Sequence, residues 1–233
     1  MYVVTGASMG IGRAVASELA RRGLDVVAVA RSPVGIEGAV EVSADLATAD
    51  GVAAVAQVAA GAGPIDGIVH GAASLIKVAP YGELDPQSLT DHFAVHVGAP
   101  IALYRSLVEH NGVRRMLYID SFSSTTHRAG WSGYSIIKAA AQMAARAAAV
   151  EAEATEVIRV FPGAVDTRIV DEVLTSDSPS APVYAAMRDK GELADPADTA
   201  RFVAALLVDA SDELLATRET WDYNDPEDRA AAS

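Results

Sequence analysis

Short runs of β-branched and other apolar residues alternate along the chain with Ala-rich stretches whose apolar positions recur three and four apart. Strands buried on both faces read as continuous apolar runs, and the helices between them as amphipathic repeats. The alternation therefore predicts βαβ units feeding a parallel sheet. Tyr2–Thr5 reads as the first strand, and residues 13–22 as a helix with Val15, Ala16, Leu19 and Ala20 on one face. Gly23 stops that helix; residues 25–30 form a second strand and 40–42 a third. A helix over 50–60, a Gly/Pro break at 61–64 and a strand at Gly67–His70 follow, then one long helix from about 86 to 109 and a strand at Arg115–Ile119. A helix over about 134–154 leads to a sixth strand, 157–161, out of which Pro162-Gly163 turns. The pattern weakens from 165 to about 195, returns as a helix at 196–208, and gives way to a polar tail. The expected architecture is α/β: a doubly wound parallel sheet of the Rossmann type, one domain over residues 1–233.

Composition agrees and narrows the partners. At 233 residues, with 51% hydrophobic and 21% charged, the chain can fill one large α/β core and carries no signature of disorder. A net charge of −13 argues against nucleic acid and anionic membrane as partners, since both need clustered Lys and Arg. A helix N-terminus and a few local cations can still hold an anionic cofactor. With no cysteine there is no disulfide, thiolate nucleophile or cysteine-held zinc, which suits a reducing cytoplasm. The opening residues read as a strand rather than a signal peptide, and the longest uncharged run, residues 51–65, is too short to span a bilayer.

Candidate chemistry begins directly after the first strand, at Thr5-Gly6-Ala7-Ser8-Met9-Gly10-Ile11-Gly12. Gly6 permits a tight turn, Gly10 lets backbone approach a pyrophosphate, and Gly12 lets helix and strand pack closely, with helix N–H groups facing the phosphates. A βα turn that simply needs small residues would use the same glycines. At the end of the second strand an acidic residue would mark NAD. Ala30 and Arg31 stand there instead, and a guanidinium suits a 2′-phosphate, with Arg13 placed to help. NADP(H) is therefore favoured over NAD(H), although a solvated loop arginine would look alike. Further on, Tyr134 and Lys138 lie four apart at a helix start, with Ser121 thirteen positions before Tyr134. A tyrosine titrates near 10, and a fixed positive charge beside it favours the phenolate and brings it towards acid–base use.

The Thr-Gly-xxx-Gly-Ile-Gly turn together with this Ser–Tyr–Lys spacing resembles the short-chain dehydrogenase/reductase family. The resemblance runs from about residue 2 to 167 and more loosely beyond. It implies hydride transfer between a nicotinamide cofactor and a small carbonyl or alcohol substrate. Tyr134 would exchange the proton, Ser121 would orient the substrate oxygen, and Lys138 would hold the nicotinamide ribose. It also implies cofactor contacts from Ser8, Met9, Ile11, Asp45 and Leu46, from the Gly71-Ala72 turn, and from Pro162, Gly163, Val165 and Thr167. Asp45 would meet the adenine, and the Val165 backbone and Thr167 hydroxyl the carboxamide. Two positions depart from the family: His70-Gly71-Ala72-Ala73 stands for Asn-Asn-Ala-Gly, and His96 for the fourth catalytic residue, an Asn. His96 can keep the main-chain carbonyl of that site or carry a proton itself. His92 and His96 have the spacing of a zinc pair, but no third ligand stands at motif distance, so no metal is expected.

Residues 168–195 fall where the family builds a substrate lid, with Phe122, Trp131, Leu174 and Tyr184 as apolar walls. The run 191–196 is loosely similar to the sepiapterin and benzil reductase branch, which implies a ketone or dicarbonyl. Small residues over 139–149 fit a helix–helix interface of a homodimer or homotetramer. Two other readings share parts of these motifs. A weakly active or inactive dinucleotide-binding regulator would explain His96 but has no need of Ser121, Tyr134 and Lys138 together; a sugar-nucleotide epimerase would need a larger C-terminal domain.

Overall fold

The computed structural model describes residues 1–61, 63–73 and 75–232, His110 by its backbone; Ala62, in the expected break at 61–64, lies outside the described residues. The elements are β1 (Tyr2–Thr5), α1 (Gly10–Arg21), β2 (Val26–Ala30), β3 (Ala39–Ser43), α2 (Ala49–Ala59), β4 (Gly67–His70), α3 (Pro86–Phe93), α4 (Ala99–Asn111) and β5 (Arg115–Ile119). They continue with α5 (Ser132–Glu151), β6 (Glu156–Phe161), α6 (Arg168–Leu174), α7 (Ala181–Asp189), α8 (Pro196–Ala204), α9 (Asp212–Leu215), β7 (Trp221–Asp222) and α10 (Pro226–Ala231). Seven parallel strands make one sheet in the order β3-β2-β1-β4-β5-β6-β7. The winding reverses between β1 and β4, which opens a crevice at their C-terminal ends.

Successive strand residues feed opposite cores. Val3, Val27 and Val29 pack with Val55, Leu103, Leu107 and Ala145, so α2, α4 and α5 cover one face. Tyr2, Val4 and Ala28 pack with Val15, Leu19, Phe202 and Val203, so α1 and α8 cover the other. This two-sided burial is why the strands are apolar throughout rather than alternating.

Three expectations are corrected. The long helix expected over 86–109 is two helices joined by a π-helical turn at Ala94–Gly98, in which the Ala99 N–H reaches the Ala94 carbonyl. The cause is Pro100, which lacks the N–H an α-helix would return to the His96 carbonyl. The polar tail contains β7, whose Trp221 is buried and pairs with Val160. One tryptophan in a charged stretch carries no periodicity, so nothing in the pattern marks this strand. The weakly patterned region after residue 165 forms the two short helices α6 and α7.

Candidate active site

The floor of the crevice is a contact between two turns. Gly6 (φ +72°) has room for no side chain: a Cβ there would lie 2.5 Å from the Gly71 carbonyl oxygen and 2.7 Å from the Ala72 backbone. A Cβ on Gly12 would lie 2.5 Å from the Gly6 carbonyl oxygen. Thr5 fastens the two turns together. Its hydroxyl oxygen accepts from the Gly71 and Ala72 N–H groups, each at 3.1 Å, and donates to the Val69 carbonyl at 3.2 Å. Thr5 opens the glycine turn read from the sequence, but nothing in that turn marks its hydroxyl as the tie to Gly71 and Ala72. Above this floor, a Cβ on Gly10 (φ +57°) would project to 3.6 Å from Thr167 Cγ2, filling the gap between the glycine turn and the start of α6. Met9 occupies the N-cap of α1 without a side-chain cap, and Ser8 and Ile11 flank it. A gap that any side chain would fill, at an uncapped N-terminus of a twelve-residue helix, fits the pyrophosphate of a dinucleotide.

At the adenosine end, Arg31 and Ser32 are exposed beyond β2. Arg13 donates to the Val34 carbonyl in the following loop, and Glu41 caps the same loop by accepting from the Val34 and Gly35 N–H groups at 3.0 and 2.7 Å. The Asp45 carboxylate accepts from the Ala47 N–H at 3.0 Å, while Leu46 beside it is buried. At the nicotinamide end, Pro162 leads into Gly163 (φ +78°), where a Cβ would meet the Asn224 amide at 2.8 Å. The C-terminal segment therefore buttresses this turn. Val165 bridges to Ala194 through the flanking Ala164 carbonyl and Asp166 N–H, so its own peptide groups lie outside that pairing.

Tyr134 and Lys138 stand one turn apart on the buried side of α5. Lys138 Nζ donates to the Ile119 carbonyl at 2.9 Å and lies 5.9 Å from the Tyr134 ring centre. Ser121 follows β5; its oxygen accepts from the Ser123 N–H at 3.2 Å, and its hydroxyl lies near enough to the Tyr134 phenol to act on its ionisation. Tyr134 is 9% exposed, and burial pushes its pKa up to about 12. Ser121 pulls it down and the Asp120 charge pushes it up. Burial is the largest of these effects, and it favours the protonated phenol.

Asp120 is a residue the sequence reading passed over. Buried beside the triad, its carboxylate accepts from the Ser121 N–H at 2.7 Å and from Gln142 Nε2 at 2.9 Å, and faces Arg159 at 3.8 Å. Arg159 in turn reaches Glu219 at 2.7 Å. These contacts fix the backbone that presents Ser121. His96, on the π turn, is buried and faces a small cavity that Lys138 also lines. The His92 ring lies 6.2 Å from that of His96, and its Nδ1 pairs with the Ser88 carbonyl at 2.7 Å.

Over Tyr134 lies an aromatic cluster. Trp131 meets Tyr134 edge-on at 5.7 Å and stacks on Tyr184 of α7 at 6.1 Å, and its Nε1 donates to Ser180 at 3.1 Å. Val173 of α6 and Leu75 complete the cluster. Val173 takes the inward place expected of Leu174, and Phe122 stacks on Phe161 at 4.5 Å instead of joining Trp131. Arg188 bonds Asp166 and Asp171, tying α7 to the start of α6.

The short chain dehydrogenase family model matches residues 1–178. Sepiapterin reductase of Xenopus tropicalis is 28% identical over 89% of this chain and 90% of its own. The cis-4-hydroxycyclohexanecarboxylate dehydrogenase of Sinomonas cyclohexanicum is 31% identical over 90% and 89%. The crystal structure of the KRED1-Pglu enzyme superposes with a TM-score of 0.83 at 27% identity, covering 92% of this chain and 97% of that one.

Proposed function

This chain belongs to the short-chain dehydrogenase family, an NAD(P)-dependent oxidoreductase by that membership, and on that premise we propose that it reduces a small ketone or dicarbonyl with NADPH. The observation that carries the reading is the juxtaposition of Ser121 and Tyr134 with Lys138 one turn on, beneath an apolar cluster. The nicotinamide, when bound, supplies the hydride. Tyr134, held as a phenol, gives its proton to the substrate oxygen. Ser121 donates to the same oxygen and orients it. Lys138 keeps a positive charge beside the phenol as its proton leaves. His96 supports the lysine from the cavity side. Water is kept from the reacting atoms by Trp131, Tyr184 and Val173.

Several features support the finer choices. For NADPH they are the exposed Arg31 after β2, the absence of a carboxylate at Ala30, and Arg13 of α1, which donates to the Val34 carbonyl in the neighbouring loop. For a ketone or dicarbonyl they are the aromatic walls and the likeness to a sepiapterin reductase and to an alicyclic hydroxyacid dehydrogenase. An exposed apolar stripe along α5 supports a homodimer or homotetramer. The absence of cysteine supports a cytoplasmic setting.

A panel of ketones and dicarbonyls, followed by NADPH absorbance, tests the reading. Tyr134→Phe should lower kcat by roughly 10²–10⁴-fold, the usual loss for removed acid–base catalysis, with NADPH affinity kept. Near-normal turnover by that variant would unseat Tyr134 as the acid. Tight NADPH binding with no turnover across the panel would favour the regulatory alternative.

A further inference from the structure

Three charged side chains are buried around the C-terminal end of β5: Lys138 of α5, Asp120 directly after β5, and Arg159 of β6. A buried lysine sheds its proton unless an opposite charge lies near. Asp120 is the only negative member of the three, and the fold holds it rigidly. Its N–H donates to the Val160 carbonyl at 2.8 Å, which extends the β5–β6 pairing. One carboxylate oxygen accepts from the Ser121 N–H and the other from Gln142 Nε2. Gln142 Nε2 also donates to Ser124 Oγ at 2.8 Å, and Ser124 donates to the Ser121 carbonyl at 2.6 Å. A closed ring of hydrogen bonds thus fixes the carboxylate and both peptide groups of Ser121.

Lys138 Nζ is anchored on the carbonyl of the residue before Asp120, Ile119, at 2.9 Å, and the two side chains line the same small cavity. Asp120 is the only carboxylate among the described residues that line it. On its other side stands Arg159, with Nη1 at 3.8 Å from the carboxylate and Nη2 at 2.7 Å from Glu219. The Glu219 side chain is 63% exposed and is also held by Arg146 at 2.6 Å. Charges of alternating sign therefore run from the site to the surface, through a segment far from the triad in the chain.

We propose that Asp120 is a positioning residue of the reaction: its fixed carboxylate is the counter-charge of the buried Lys138 ammonium, and Arg159 and Glu219 set how much of that charge the site feels. Burial lowers the Lys138 pKa, and the Asp120 charge raises it. The same charge raises that of Tyr134, in addition to the larger effect of burial. Both influences keep the pair protonated, the state from which Tyr134 can give its proton. The other titratable groups around the two are His70, His96, Tyr118 and Tyr134 on the cavity side and Arg146 beyond Arg159. Burial pushes His70 down to about 3, so it adds no charge at neutral pH. The consequence for turnover rests on the role proposed above for Lys138; the charge pairing itself does not.

The test is a series whose shifts differ in sign. Asp120→Asn keeps an acceptor for the Ser121 N–H but removes the charge. It should move the alkaline limb of kcat/KM to lower pH by about one unit, the lower end of what a nearby opposite charge supplies. Glu219→Gln should move it the same way by less, and Arg159→Gln, which removes an opposing charge, to higher pH. The chain has three lysines, so nitrogen NMR of lysine-labelled protein should show one ammonium, Lys138, titrating with the same signs. A merely structural role would lower activity at every pH without moving either titration, and that result overturns the proposal. So do shifts of one sign for Asp120→Asn and Arg159→Gln. Thermal melts identify an Asp120→Asn variant that has failed to fold, and the opposite signs expected of the Glu219 and Arg159 variants then decide. If the parent reduces no carbonyl compound, the functional reading fails, and the Lys138 titration alone decides the pairing.

Discussion

Tyr134 illustrates how a residue acquires a direction of chemistry. Exposed, it would titrate near 10; within the cluster of Trp131, Val173 and Tyr184 it rises to about 12, so at pH 7 it is a proton donor waiting for a base. In the proposed reaction, the substrate oxygen that becomes an alkoxide on reduction is such a base. The cofactor choice also sits with single side chains. Arg31 is exposed at the rim, where it can grip a 2′-phosphate without losing a protein partner that any described contact supplies. Arg31→Asp should weaken NADPH binding tenfold or more, as loss of a charged hydrogen-bonded pair worth about 1.5–3 kcal/mol implies, and should narrow or reverse the preference over NADH. Fluorescence titration of both cofactors checks it. Equal affinities in the parent would remove the basis of the prediction.

At the scale of elements, α6 and α7 are held over Tyr134 by a small set of contacts. α6 has seven residues and α7 nine, too short to be stable without tertiary contacts. Their attachment to the site runs through Val173, the Trp131–Tyr184 stack and the buried Trp131–Ser180 hydrogen bond. Ser180→Ala leaves the indole N–H unpaired, at about 1–3 kcal/mol. We expect that loss to appear locally, as faster amide exchange in residues 181–189 and a higher KM, with cofactor affinity unchanged. Exchange mass spectrometry reads the difference. Unaltered exchange in α7 would mean that the stack alone holds the lid. Elsewhere the same short-range logic makes the π turn: Pro100 has no N–H to return to the His96 carbonyl, and His96 on that turn lines the small cavity beside Lys138.

For the whole molecule, the surface carries one feature that the monomer leaves unexplained. Along α5, Ile136, Met143 and Val150 recur every seven residues at 44%, 61% and 87% exposure, and Ile101 on α4 is 56% exposed. Regular apolar exposure on a helix, with small alanines between, suits close packing against a second copy. Met143→Asp should shift the protein from dimer or tetramer towards monomer in sedimentation, by placing a charge where apolar area would be buried. A parent that sediments as a monomer at micromolar concentration would end that reading. Among the described residues no helix is long and apolar enough to cross a membrane.

The sequence by itself determined the frame. The apolar runs at Tyr2–Thr5, Gly67–His70 and Arg115–Ile119 are strands with those bounds, because strands buried on both faces leave a signal in consecutive residues. The glycine turn was legible for a related reason: its function depends on backbone approach, which the missing side chains at Gly6 and Gly12 announce directly. Spacing singles out Ser121, Tyr134 and Lys138 as a candidate group, and the fold brings these three close together. What only the tertiary structure decided involves partners distant in the chain. The strand at Trp221 exists because β6 offers it an edge; Thr5 matters because it reaches Gly71; Val173, rather than Leu174, faces Trp131 because of how α6 lies on the site. The ionisation of Tyr134 belongs to this second group. Lys138 four residues away points towards a phenolate, but burial among residues 121, 131 and 173 sets the balance, and desolvation is a property of the folded surroundings that no local spacing encodes.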